Sequence, residues 1–140
     1  MASNTKGIFI SYRRDETAGY AGWLADELSK AFGEQKIFRD IDSIEPRLDF
    51  VEAVELAIAS SEVLIAVMGS SWLTATDVEG RQHLQNPDDY VRREIATALK
   101  HNIRVVPILV QGASMPHADE LLADLAPLTR RHAFDVSLAG

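Results

Sequence analysis

Apolar and polar positions alternate between two periods along this 140-residue chain. Short β-branched runs predict strands at 7–12 ("GIFISY"), 36–40 ("KIFRD"), 62–69 ("EVLIAVMG"), 104–110 ("RVVPILV") and, more weakly, 132–136 ("HAFDV"). The third and fourth runs are almost continuously apolar, as expected of strands covered on both faces. Helical spacing fills the gaps. Ala21, Leu24, Leu28, Ala31 and Phe32 share a face before Gly33 stops the turn, and Phe50, Val54, Ala57 and Ile58 repeat the pattern. A third helix is expected to open with Asn86 as N-cap, Pro87 in its first turn and Asp88 and Asp89 at the positive end of the dipole, and to end at Asn102. A fourth is expected over 117–128.

Strands alternating with helices imply a parallel sheet with right-handed crossovers. The expectation is an α/β, flavodoxin-like five-stranded sheet of order 2-1-3-4-5 with helices on both faces. Residues 1–6 are read as a flexible leader and 7–140 as one domain. A final helix after "HAFDV" is normal for such a fold, so its absence here suggests a piece of a longer protein.

With 46% hydrophobic and 25% charged residues, the chain can bury a core. A formal charge of −7 argues against general affinity for nucleic acid or anionic membranes. No apolar run approaches the roughly 20 residues that cross a bilayer. Cysteine is absent, which removes disulfides and thiolate chemistry and fits the cytoplasm.

Ligands of open α/β sheets bind beyond the carboxyl ends of the strands. The segments reaching that edge are "SYRRDE", "DIDSIEPRLDF", "SSWLT" and "QGASMPH". Glu94, about two turns into the third helix, is expected to point into the crevice that Arg13, Arg14 and Trp72 also approach. On a helical wheel Val91, Ile95, Ala98 and Leu99 form the apolar stripe, with Tyr90 and Glu94 along one edge. A carboxylate there is partly desolvated beside an aromatic at i−4. Two roles fit it: pairing with a nearby arginine, or chemistry. Other chemistries find no support. There is no GxGxxG or GxxxxGK[ST] loop, no acceptor aspartate at the end of strand three, no nucleophile elbow, and no metal-ligand spacing among the four histidines.

"GIFISYRRDE", "IFRDIDSIEP" and "DYVRREIATAL…RVVPILV", in that order, resemble the TIR (Toll/interleukin receptor/resistance protein) domain of prokaryotic type. The resemblance runs from Gly7 to about Val136. Some TIR domains are adaptors that assemble through TIR–TIR contacts, and others cleave or cyclise NAD⁺ with a glutamate preceded at i−4 by an aromatic. The resemblance therefore implies Glu94 as catalytic and Tyr90 as its aromatic, commonly Trp in the family. It also implies a nucleotide site lined by Ser11, Tyr12, Arg13, Arg14, Asp40, Phe50 and Trp72, with NAD⁺ as substrate and no cofactor or metal. The partners it implies are further copies of the chain and other TIR domains, through a self-association loop at Ile44, Glu45, Pro46 and Arg47. Arg47 stands where the family carries Gly, which puts the loop's backbone freedom in question. Arg13 and Arg14 suit a pyrophosphate, or else pair structurally with Asp15, Glu16 or Asp40. An NAD⁺ nucleosidase active on self-association in defence signalling is the leading expectation. A non-catalytic interaction module and a related nucleoside-cleaving enzyme are its rivals.

Overall fold

The computed structural model describes residues 7–33, 37–39, 50–87 and 89–136. Chain order is β1 (Gly7–Ser11), α1 (Arg14–Phe32), β2 (Ile37–Arg39), α2 (Phe50–Ala59), β3 (Ser61–Met68), α3 (Tyr90–Lys100), β4 (Arg104–Leu109) and β5 (Phe134–Asp135), with short 3-10 turns at His83–Gln85, Ala118–Glu120 and Ala126–Arg130. The strands form one sheet in the order β2-β1-β3-β4-β5, and every pairing is parallel. Phe9 lies opposite Phe38 on one side and Leu64 on the other, so β1 and β3 occupy the middle, where a strand must be apolar on both faces.

Alternation along these strands sorts the core into two layers. Phe9, Leu64, Ala66, Met68, Val105 and Leu109 face one way, against Ile58 of α2 and Val91, Ile95 and Ala98 of α3. Ile10, Ile65, Val67, Ile108 and Val110 face the other way, against Ala21 and Ala25 of α1. The helices thus cover both faces of the sheet. Along α1 the expected stripe is only partly inward: Leu24 and Leu28 pack on this layer, but Ala31 and Phe32 are exposed at the end of the helix. Gly33, at φ 100°, ends α1 as its sequence predicts, with its N–H donated to the Ser29 carbonyl.

Two expected helix boundaries move. α3 begins at Tyr90, and its N-cap is Asp89 instead of Asn86. Upstream, the Asp89 N–H donates to the Asn86 carbonyl at 3.0 Å, which puts Pro87 in the second position of a turn, where its fixed φ belongs. The proline signal was real but marked this turn. At the other end, Asn102 takes φ 59°, its N–H bonds to Leu99 O and the Ile103 N–H reaches Ala98 O. That is the Schellman closure expected of asparagine there.

The expected helix over 117–128 is absent, and the 3-10 turns Ala118–Glu120 and Ala126–Arg130 occupy the region instead. Pro127 has no N–H to give an α-helical ladder. Its neighbours Leu125 and Leu128 are nonetheless wholly buried in the α2/α3 layer. No helix among the described residues is long and apolar enough to cross a membrane.

Candidate functional site

The carboxyl end of β1 divides its side chains between the two layers. Ser11 is buried and, following Phe9 in alternation, lies on the α3 side, while Tyr12 packs with the α1-side cluster. Among the described residues the Ser11 hydroxyl has no hydrogen-bond partner. The two residues therefore do not share a face, although they are adjacent in sequence.

Arg13 follows, and it is committed to a partner. Its Nη1 donates to Asp89 Oδ1 at 2.9 Å and its Nη2 to Asp89 Oδ2 at 3.0 Å, with the two side chains only 9% and 8% exposed. The pairing reading of Arg13 is the one this geometry shows, and the acid is Asp89, 76 residues away in sequence; the side chains of Asp15, Glu16 and Asp40 lie outside what the structure describes. Asp89 Oδ2 also accepts the backbone N–H of Arg92 at 3.1 Å, so one carboxylate both caps α3 and holds the loop after β1. The imidazole Nδ1 of His83 lies 3.9 Å from Asp89 Oδ1, beyond hydrogen-bond range. Arg92, next along α3, extends sideways, donating from Nε to Asp124 at 3.1 Å and from Nη1 to the Gln85 carbonyl at 3.2 Å.

Glu94 lies just over a turn into α3. It is 1% exposed and shares the buried face with Val91, Ile95 and Ala98. The partly desolvated edge position expected from the wheel is thus corrected to full burial, because α3 packs directly on the sheet. Leu99, expected in the stripe, is only partly buried against the cluster. Tyr90, one turn before Glu94, is 51% exposed and forms a rim beside it. A carboxylate in such a place costs several kcal/mol to desolvate, so its neighbours must supply compensation.

Trp72 follows β3 and is almost wholly buried in the α2/α3 layer. It also lines a cleft of about 420 Å³ between the segments after β3 and β4, with Ser70, Thr74, Ser114, Met115 and His117. Glu94 is not among that cleft's lining residues. The structure thus brings Ser11, Arg13 and Glu94 to the α3 side of the sheet edge, puts Tyr90 on its rim, and sets Trp72 at a neighbouring cleft. Arg14 and Phe50 open α1 and α2, but only their backbones are described. Asp40, Ile44, Glu45, Pro46 and Arg47 lie outside the described residues. Among the described residues no group of three or more His, Asp and Glu side chains is arranged to hold a metal ion.

Asp89 is the residue that sequence reasoning placed without its partner. Its signal was visible, an acid directly before an amphipathic helix, but "NPDD" holds three capping-type residues and nothing local chooses among them.

A parallel α/β sheet with a buried acid in the helix after β3 defines the class of domain. The TIR domain family model matches residues 8–138, and the chain belongs to that family. The fold is similar to the TIR domains in a solved structure of the activated Roq1 resistosome directly recognizing the pathogen effector XopQ. That match has a TM-score of 0.60 and 16% sequence identity, over 90% of this chain and 70% of that one. Comparison with curated proteins finds no significant match.

Proposed function

We propose that this TIR domain is an NAD⁺ nucleosidase in which Glu94 is the catalytic carboxylate, working in the cytoplasm in defence signalling. The observation that carries the proposal is the burial of Glu94 on the helix after β3, beneath the sheet edge at which open α/β folds bind ligands. Breaking the bond between ribose C1′ and the nicotinamide nitrogen builds positive charge on the sugar, as in glycoside hydrolysis. The bonding electrons return to the pyridinium, which leaves as a neutral base, so no general acid is needed. One fixed carboxylate in a dry site then stabilises the oxocarbenium-like centre strongly. Water adds to C1′ and releases a proton; attack by a group of the same nucleotide in place of water would cyclise it. Ser11, Arg14, Asp40, Phe50, Trp72 and the rim aromatic Tyr90 are the residues proposed to hold the nucleotide. Ile44, Glu45, Pro46 and Arg47 are proposed to meet a neighbouring protomer.

Nicotinamide release on incubation with NAD⁺ tests the reading. Glu94→Gln preserves size and removes charge, so it should release no nicotinamide above background while keeping the far-UV spectrum of the parent. Parent-like turnover by that variant removes Glu94 from the mechanism.

A second reading, a TIR domain that acts only by binding other TIR domains, is favoured by one observation. At 1% exposure Glu94 has no surface for a substrate to touch in this conformation. A parent protein that releases no nicotinamide at any concentration, yet self-associates, supports this alternative.

A further inference from the structure

We infer that Arg13 and Asp89 are positioning residues that set the start of α3 and so the placement of Glu94; the catalytic part of this inference rests on the nucleosidase reading. Of the two roles that its sequence allows Arg13, a pyrophosphate contact or a structural ion pair, the geometry points to the second. A guanidinium offers its strongest recognition through two parallel N–H donors. Each η nitrogen of Arg13 already donates one of its two N–H groups to Asp89, at 2.9 and 3.0 Å, in surroundings where each side chain is less than a tenth exposed. Only Nε of this group lacks a partner among the described residues, and it too is buried.

Asp89 is equally committed. Its two oxygens accept both Arg13 donors and the Arg92 amide, and its own carbonyl receives the Arg93 N–H at 3.0 Å. The carboxylate is therefore the joint between the loop leaving β1 and the first turn of α3. Glu94 follows five residues later, at the start of the second turn of the helix that this joint opens. The segment "NPDD" provides other capping-type residues in Asn86 and Asp88, so local sequence leaves the starting point of the helix open. The Arg13 fork selects Asp89, because the cap there also neutralises a buried cation. Selecting the cap fixes the rotation and depth of α3 over β1, and those two quantities aim the Glu94 carboxylate. Displacement of a reacting group by about 1 Å can cost ~100-fold in rate, so a rigid joint of this kind has a kinetic consequence.

Two conservative variants separate positioning from substrate contact. Asp89→Asn keeps a good N-cap but turns an amide N–H₂ toward one Arg13 donor. Arg13→Lys keeps the charge and loses the fork. In the nicotinamide-release assay each should lower kcat by ~10- to 100-fold with KM changed by less than about threefold. Arg13 as a pyrophosphate ligand gives the opposite pattern: Arg13→Lys raises KM and spares kcat, while Asp89→Asn, by freeing Arg13, leaves KM equal or lower. That result overturns the inference, as does parent-like kinetics in both variants. Amide hydrogen exchange of the full chain reads the joint without turnover. Arg13→Lys should speed exchange at the Arg92 and Arg93 amides by about tenfold or more, relative to amides of β3, as expected of a loosened first turn. Unchanged protection at both amides refutes the clamp. A parent inactive on NAD⁺ but with this exchange response discards the nucleosidase reading and keeps the clamp; an active parent with parent-like variants does the reverse.

Discussion

At the scale of the residue, acids in this protein differ in what surrounds them, and those surroundings decide their roles. Glu94 sits in a packed helix–sheet layer. Asp77 organises an exposed loop. Its Oδ1 accepts the amides of Glu79 at 2.8 Å and Arg81 at 3.0 Å, and its Oδ2 accepts Arg81 Nε at 3.2 Å. Those bonds favour the ionised form. The Arg81 amide is the main cause holding the Asp77 carboxyl below its ordinary value of 3.8; desolvation opposes it, and the Glu79 amide and the Arg81 guanidinium add to the lowering. A carboxyl depressed in the folded state contributes its stability in full above the unfolded value and loses it as pH falls through the folded one. The loop should therefore hold at neutral pH and loosen only under strong acid. A carboxyl carbon titration by NMR should give Asp77 a midpoint below 3.8. A midpoint at or above that value contradicts the hydrogen bonding described here.

At the scale of the element, capping and proline chemistry explain where the chain turns. α3 has its apolar face legible from sequence, since Val91, Ile95 and Ala98 recur at helical spacing. Its start was not legible, because three neighbouring residues can cap and the choice falls to Arg13 from another element. The segment 117–128 shows the converse. Leucines at 121, 122, 125 and 128 suggest a helical stripe, but the chain forms 3-10 turns, the second with Pro127 near its start, and buries Leu125 and Leu128 from there. Burial is thus retained although the helix is lost. Leu128→Ala should accordingly destabilise the protein by about 2–5 kcal/mol, the range for truncating a fully buried leucine. Urea denaturation measures it. A change under about 0.5 kcal/mol would mean that this segment is a surface strap and not part of the core.

At the scale of the whole molecule, the sheet separates two chemically different sides. The α1 side is an aliphatic core with Tyr12 and Tyr20 packed against it, whereas the α2/α3 side carries Glu94 and Ser11 toward the strands' carboxyl ends. Full burial of Glu94 means that a substrate reaches it only after some covering segment shifts. If the proposed contact between protomers drives that shift, activity depends on association. Turnover per protomer should then rise with protein concentration, and clustering on a bead surface should raise it further. A rate that stays flat over a dilution of about a hundredfold would show that one protomer suffices, since association by mass action cannot be insensitive to such a range around its dissociation constant. Light scattering on the same samples places that range.

The strands and their burial were written into the sequence, because a strand covered on both faces has to be apolar at nearly every position, and β3 and β4 are. The ending of α1 at Gly33 and of α3 at Asn102 was also local information, since a left-handed residue is needed at each point and these two types supply it cheaply. Glu94 stood out by residue type against its helical neighbours and by the family motif. The depth of its burial, the pairing of Arg13 with Asp89 and the division of Ser11 from Tyr12 were decided only by tertiary structure. Each depends on which surfaces meet across long stretches of chain. A carboxylate's environment and an arginine's partner are set by packing between elements, and local periodicity carries no record of that.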